Sequence, residues 1–456
     1  MSGLASSPAA GRLTQGAVLL YALPNLPHSF ALLPTINYVP AFYSDELGLP
    51  LALVGLMLVL SRLPDIVIDP FIGSWSDRTR SRFGRRKPFI ALGVPVLMLA
   101  AWMLFVPPAG AGLFYLFIGL LLMYLGFAIV DIPYAAWGAE LSEDYDERSR
   151  VAGTRAAAGT LGSLVTLTIP VILQVLGVTE TAVVLFWMAL FFIVTQPLFF
   201  AVTLYLLPEP MRRILDGPKL SWRERARIVI GNRSFRRLAL AVLLLVSGLG
   251  IGATLNKIFI EHVIGSRDGF AIMIFLENIA GLAALPLWLL LAKRIGKHRA
   301  LALASLWTVS IFALQFTLGP GDATAFIAMT TLRGAALGAL ISLGGAMVAD
   351  IADEDQLASG EERPALYFAV LGIATKGSIV LSVLLGTLLP GLAGFQPSDP
   401  VHAPEAIAAL KLVYCFTPLL LAAPAIWLLW NYPLTREVQA ANRLKLDQLR
   451  AQRATT

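Results

Sequence analysis

Residues 62–89 read RLPDIVIDPFIGSWSDRTRSRFGRRKPF, and this stretch decides the fold class. Its first half continues an apolar run that begins near Leu51, yet it carries Arg62, Asp65 and Asp69. Its second half is a short, strongly basic loop. An ionisable side chain inside a membrane span is costly to bury, so it marks a functional site by default. Asp65 and Asp69 lie four residues apart and share one helix face, with Arg62 close to it. A structural Arg62–Asp65 ion pair is the plainer reading, but it leaves the second aspartate without a role.

The rest of the chain supports a membrane reading. It has 456 residues, 57% hydrophobic and 14% charged, with a mean hydropathy of +0.74. Soluble domains carry about 25% charged residues. A single cysteine, Cys415, excludes a disulfide framework within the chain, and four histidines without ligand spacing argue against a histidine metal centre. The start, MSGLASSPAAGRLTQG, is small and polar, which is not the pattern of a cleaved signal peptide.

A helix needs about 20 apolar residues to cross a bilayer. Twelve runs meet that need, at 16–43, 50–75, 87–107, 111–137, 153–177, 181–207, 236–264, 269–293, 299–318, 322–350, 365–391 and 406–430. These are spans 1 to 12. Pro24, Pro27 and Pro34 predict a kinked span 1. If the N-terminus is inside, the inner segments and adjoining helix ends hold 28 of the 35 Lys and Arg residues. The outer segments hold only Arg267, and six basic residues lie within spans. This asymmetry places both termini in the cytoplasm. It also assigns the basic loops to topology and anionic lipid contact, not to nucleic acid.

The longest polar interruption, residues 208–235, divides the spans six and six. The expected organisation is a six-helix half at 1–207, a cytoplasmic loop at 208–235, a second six-helix half at 236–430 and a cytoplasmic tail at 431–456. The tail from Arg436 to Arg453 reads as an amphipathic helix or a disordered segment. Many transporters consist of two such halves, with substrate bound near the midplane.

The basic residues inside spans are Arg62, Arg155, Lys257, Arg333, Lys376 and Lys411; the acids well away from span ends are Asp65, Asp69, Asp131 and Glu277. Lys257 and Lys411 lie near helix ends and can snorkel. Arg155, near the inner end of span 5, reads equally as an anchor and as a functional group. Asp65, Asp69 and Asp131 lie at similar depth in spans 2 and 4, and meet if those spans are neighbours. Three carboxylates at close quarters need a cation or shared protons. Arg62 can offset one charge, and Lys376, near the midplane, can neutralise another or compete with the coupling ion. Tyr134 and Trp137 follow Asp131 near its helix face and are candidates for stacking on a sugar; Tyr38, Trp75 and Tyr367 are weaker ones. Glu277 and Arg333 read equally as a structural pair and as substrate contacts.

The run DIVIDPFIG at 65–73, then Asp77, then SRFGRRKPF at 81–89, resembles a signature of the glycoside–pentoside–hexuronide:cation symporters of the major facilitator superfamily. DIPY at 131–134 followed by Arg155, and MVADIAD at 347–353 followed by Arg363, Tyr367 and Lys376, are similar to that family in both halves. The resemblance implies a major facilitator fold, all-α, with twelve transmembrane helices. It implies cation coupling by Asp65, Asp69 and Asp131 with Lys376 nearby. It also implies a sugar held in part by Asp131, Trp137 and Arg155, and inner gating contacts from the acids after span 10, Asp350 and Asp353.

The departures carry weight. The melibiose-type pattern has an acid in span 1, where this chain reads YALPNLPH at 21–28 with Asn25 and His28. His28 stands in for that acid in sugar or proton binding, or packs the helix. Polar sodium ligands of the family are replaced by Ile68 and Ala128, which favours H⁺ over Na⁺; a sodium ion, if used, falls to Asp65 and Asp69. SDR at 76–78 and GRRKPFI at 84–90 are closer to the proton-coupled sucrose transporters.

The expected function is cation-coupled symport of a sugar or glycoside across a plasma membrane of bacterial inner-membrane type, by alternating access. No cofactor beyond the coupling ion is expected, and a monomer suffices. Asn25, His28, Asp131, Tyr134, Trp137 and Arg155 are the substrate candidates. Arg62, Asp77, Arg85, Arg86, Asp350, Asp353 and Arg363 are the gating or structural ones. The competing readings are a lysolipid carrier and a membrane-embedded transferase using the acids at Asp350–Asp355.

Overall fold

The computed structural model describes residues 13–142, 144–209, 222–360 and 363–455, and every regular element among them is a helix. Nine expected spans are continuous helices. In the first half these are Lys87–Phe105, Leu113–Glu140, Tyr145–Val175 and Thr181–Leu206; in the second, Arg233–His262, Phe270–Ile295, Lys297–Gln315, Pro364–Leu392 and Pro404–Trp430. Span 5 starts before its apolar run does, because the Asp144 carboxylate accepts from the Glu147 N–H at 2.9 Å and caps the helix.

The other three spans are broken. Span 2 divides at Pro64 into Leu51–Arg62 and Asp65–Arg78, and span 10 divides into Ala323–Gly334 and Leu337–Ser359. Span 1 is a chain of short pieces, Gln15–Ala22, Asn25–His28, Leu32–Asn37 and Val39–Ala41, ending in a π-turn at Phe42–Glu46. Its prolines lack the N–H that would continue the ladder. Carbonyls here and opposite find side-chain donors: Asn25 Nδ2 donates to the Arg155 carbonyl at 2.8 Å, and Ser29 Oγ to the Gly159 carbonyl at 2.9 Å. Gly162 lies so close to the Leu26 carbonyl that any Cβ there would collide with it.

Among the described residues, ten stretches are individually long and apolar enough to cross a membrane. Leu51–Arg62 is too short alone, and Lys297–Gln315 opens on Lys297, His298 and Arg299, which dilute its apolar character. Span 2, in its two pieces, and span 9 add to the ten to make twelve. Large apolar side chains such as Leu92, Leu198, Leu287 and Leu420 remain exposed on the spans, as contact with lipid tails allows.

The chain forms two compact units. In the first, span 3 packs on spans 4 and 6, span 2 on span 4, and span 1 on span 5. This unit also includes Gln396–Val401 from the loop between spans 11 and 12. Gln396 accepts from the Leu51 N–H at 3.0 Å and donates to the Leu49 carbonyl at 2.9 Å, satisfying backbone groups at the start of span 2. In the second unit, span 7 packs on spans 11 and 12, span 9 on span 12, and span 8 on span 10. Of the two alternatives for the tail, the structure shows the helix: Arg436–Thr455 packs against the inner end of span 10.

Candidate functional site

Within the first unit, spans 1, 4, 5 and 6 bring together a buried polar cluster. Asp131 lies on span 4, and Arg155, ten residues into span 5, pairs with its Oδ1. His28, at the end of the second helical piece of span 1, faces the same oxygen with Nε2 at 3.5 Å. Gln196 from span 6 lies 3.0 Å from the other ring nitrogen of His28. Phe127 stacks on the imidazole at 4.6 Å, and Phe200 meets it edge-on at 5.8 Å. His28 is 1% exposed, whereas the Asp131 side chain is 32% exposed. The histidine therefore sits behind a carboxylate that opens outward from the cluster.

Spans 2 and 4 are neighbours, as a three-acid site requires. Asp131 also takes a charge partner from Arg155. Arg155 is thus a member of the cluster and not a free anchor. Its guanidinium also lies over the Tyr134 ring at 4.5 Å, and its Nε has no hydrogen-bond partner.

Tyr134 and Trp137 are completely buried. The Tyr21 hydroxyl donates to the Tyr134 carbonyl at 2.8 Å, and the Tyr134 hydroxyl donates to the Tyr21 carbonyl. Trp137 meets Tyr21 edge-on at 6.1 Å and lies near Lys87. Neither ring offers a face to a sugar in this conformation; together with Asn25 they fasten span 1 to spans 4 and 5.

In span 2, Asp65 is buried and Asp69 is half-buried on the piece that follows Pro64. Arg62 precedes the break. Its guanidinium lies over the Tyr124 ring at 4.1 Å, with Nε and Nη2 lacking hydrogen-bond partners among the described residues. Tyr124 of span 4 is thus one neighbour of the Arg62 guanidinium. Ile68 lies half-buried between the two acids.

At the inner ends of the same spans, Arg86 binds Asp77 at 2.5 Å, Glu140 at 2.8 Å and the Ser76 hydroxyl at 2.6 Å, and Arg85 binds Glu140 at 2.9 Å. Burial opposes the Arg86 charge, but hydrogen bonds and attraction from Glu140 and then Asp77 outweigh it and raise the pKa of the guanidinium. Glu209, just after span 6, accepts from the backbone N–H groups of Arg85 and Arg86 at 2.8 and 2.9 Å and so caps span 3. Sequence reading missed Glu140, Glu209 and Gln196. A glutamine inside an otherwise apolar span was a signal for the last; nothing local marked the other two.

In the second unit, Glu277 and Arg333 form a pair. Arg333 Nε and Nη2 donate to Glu277 Oε1 at 3.0 and 2.8 Å, Nη1 to the Tyr414 hydroxyl at 2.9 Å, and Nη2 to Asn256 at 3.2 Å. Near the inner end of span 10, Lys297 binds Asp350 at 2.6 Å. Gln439 of the tail helix also donates to Asp350, and Arg443 lies 3.7 Å from Asp350 and 3.8 Å from Asp353. Arg363 directly precedes the span 11 helix, Tyr367 is buried against Phe235, and Lys376 is half-buried further along the same helix. Lys411 donates to the Leu318 carbonyl at 2.8 Å, and Lys257 pairs with Glu261 at 2.5 Å, so both snorkelling candidates are engaged close to their helix ends.

The chain is similar over nearly its whole length to proteins named as carriers or symporters. It is 23% identical to a glucuronide carrier protein homolog of Escherichia coli (strain K12), covering 96% of this chain and 98% of the relative. It is 24% identical to a putative glycoside/cation symporter, YagG, of the same organism, covering 97% of each. A crystal structure of the D323A mutant of the nucleoside transporter NupG has the same fold, with a TM-score of 0.66 at 14% identity, covering 91% of this chain and 98% of that one. The family model described as MFS/sugar transport protein matches residues 20–436, and the chain belongs to that family of membrane transporters.

Proposed function

We propose that this protein is a secondary active symporter that carries a sugar or glycoside together with a cation, H⁺ in preference to Na⁺. The observation that carries the reading is the partly open Asp131–Arg155 pair with His28 behind it, inside a chain of the sugar transport family. A carboxylate and a guanidinium side by side can hydrogen-bond sugar hydroxyls in both directions, since one accepts and the other donates. The names of the two relatives, a glucuronide carrier and a glycoside/cation symporter, support this substrate class.

The coupling site comprises Asp65, Asp69 and Asp131 of the first unit. Proton preference rests on the donor set. Ile68 and Ala128 bring no oxygen to the acids, and a sodium ion bound to carboxylates needs several neutral oxygens besides. Loading the site with a positive charge favours the state that binds sugar, and rocking of one half over the other then releases both inside. The proposed setting is a plasma membrane of bacterial inner-membrane type with both termini cytoplasmic, as the distribution of basic residues favours.

The test is uptake by the purified chain in proteoliposomes across a sugar panel, with imposed H⁺ or Na⁺ gradients. Accumulation driven by a pH gradient and abolished by a protonophore is the expected result. A strict Na⁺ requirement overturns the ion assignment, and transport of lysolipid in place of every sugar overturns the substrate class.

A further inference from the structure

We infer that His28 is the group on which the coupling proton rides, with Gln196 as the amide that accommodates it and Asp131 as the charge that holds it. This deepens the symport reading and rests on it. The argument begins with charge. Between the ends of the first six spans, two guanidiniums, Arg62 and Arg155, stand against three carboxylates, Asp65, Asp69 and Asp131. Asp131 is met from two sides, by Arg155 and by His28, and an imidazole is the side chain whose ordinary titration lies in the physiological range.

The surroundings of His28 suit both of its charge states. Gln196 Nε2 donates to the ring at 3.0 Å, which leaves Nε2–H of the imidazole facing Asp131. The acceptor oxygen of Gln196 is buried without a hydrogen-bond partner. Turning that amide by half a turn presents the oxygen to the same ring nitrogen and makes it an acceptor for a second N–H. The heavy-atom positions are unchanged. Apart from Asp131 and, through it, Arg155, the groups that line the ring are neutral: Gln196 and Phe200 from span 6, and Phe127 from span 4. No other described charge pairs with it.

The geometry also links the proton to the substrate side. Arg155 and His28 address the same oxygen, Oδ1 of Asp131. A second positive charge on that oxygen weakens the hold of Arg155 and releases guanidinium N–H groups for hydroxyls of a bound sugar. In the tautomer with its N–H on Nδ1, held by the turned amide, Nε2 is free to take a proton from Asp131, whose side chain is about a third exposed, and to return it the same way. No covalent bond of the substrate changes.

The primary measurement is substrate-free: histidine ring carbon and nitrogen NMR of the full chain in lipid nanodiscs, with the proton itself as ligand. The His28 signal is identified by its absence from H28Q. If H28Q does not fold, it is identified as the signal that survives when His262, His298 and His402 are all replaced by asparagine. The expected result is a ring that gains a second N–H as the pH is lowered across the range in which the chain stays folded. In transport, H28Q loses accumulation driven by a pH gradient, so that the inside concentration no longer exceeds the outside one. A His28 ring that keeps a single proton over that range, or pH-driven accumulation by H28Q equal to wild type, overturns the inference. In the latter case proton symport itself stands. If Na⁺ alone drives uptake, the ion assignment falls, whatever the NMR shows for His28.

Discussion

Two buried arginine–carboxylate pairs occupy the two units, and they differ in what is left over. Around Arg333 every donor group is answered: Glu277, Tyr414 and Asn256 take the hydrogen bonds, and Phe312 covers the guanidinium face at 4.2 Å. Arg333 is 2% exposed and the Glu277 side chain 10%. Around Arg155 the set is incomplete: its Nε has no partner, and Asp131 is 32% exposed. In sequence the two pairs read alike, an acid in one span and an arginine in another. The closed pair can only hold helices together, because a ligand would first have to displace a satisfied partner. The open pair has donor and acceptor capacity to offer.

The comparison can be broken by mutation. The largest effect belongs to the closed pair. Arg333→Ala leaves Glu277 as an unpaired buried charge and lowers stability by about 3–5 kcal/mol in thermal or denaturant unfolding. Replacing both partners, Glu277→Leu with Arg333→Met, recovers most of that loss. A double variant as unstable as the single one contradicts a purely structural role.

Asp131→Asn is expected to abolish uphill accumulation at a smaller cost in stability than Arg333→Ala, because its side chain already meets an open space. The ratio of transport loss to stability loss, measured on the same preparations, separates the two clusters. Asp131→Asn that unfolds as readily as Arg333→Ala makes both pairs structural.

Gly162→Ala tests the seam that carries His28. The added methyl meets the Leu26 carbonyl, and overpacking costs about 1–3 kcal/mol. Displacement of span 1 should also reduce accumulation, and unchanged accumulation detaches the seam from the site. The smallest effect is Arg443→Ala, which removes a half-exposed partner of Asp350 and Asp353. Arg443 is 60% exposed and Lys297 still pairs with Asp350, so the loss should stay below about 1 kcal/mol, and be smaller in high salt.

Much of the fold was legible because its signals are local. Hydropathy located the twelve spans, proline foretold that span 1 breaks, and the stretch 62–89 marked the family. The helix ends were less legible: span 5 begins at Tyr145, where Asp144 provides a cap outside the apolar run. The site was half legible. His28, Asp131 and Arg155 were singled out from residue type and position. Tyr134 and Trp137 were singled out on the same grounds, yet both lie wholly inside the unit. A helical spacing tells which residues share a face, not whether that face meets another helix or a cavity.

What the amino-acid order determined on its own was the membrane class, the span count and the supply of intramembrane charges, since each follows from the energy of placing single residues in hydrocarbon. What only the tertiary structure decided was how those charges divide. Arg155 neutralises Asp131, Arg62 lies over a ring, and Gln196 meets His28 across 168 positions of chain. Pairing depends on distances between helices, and those are set by close packing of whole surfaces, which no local pattern encodes.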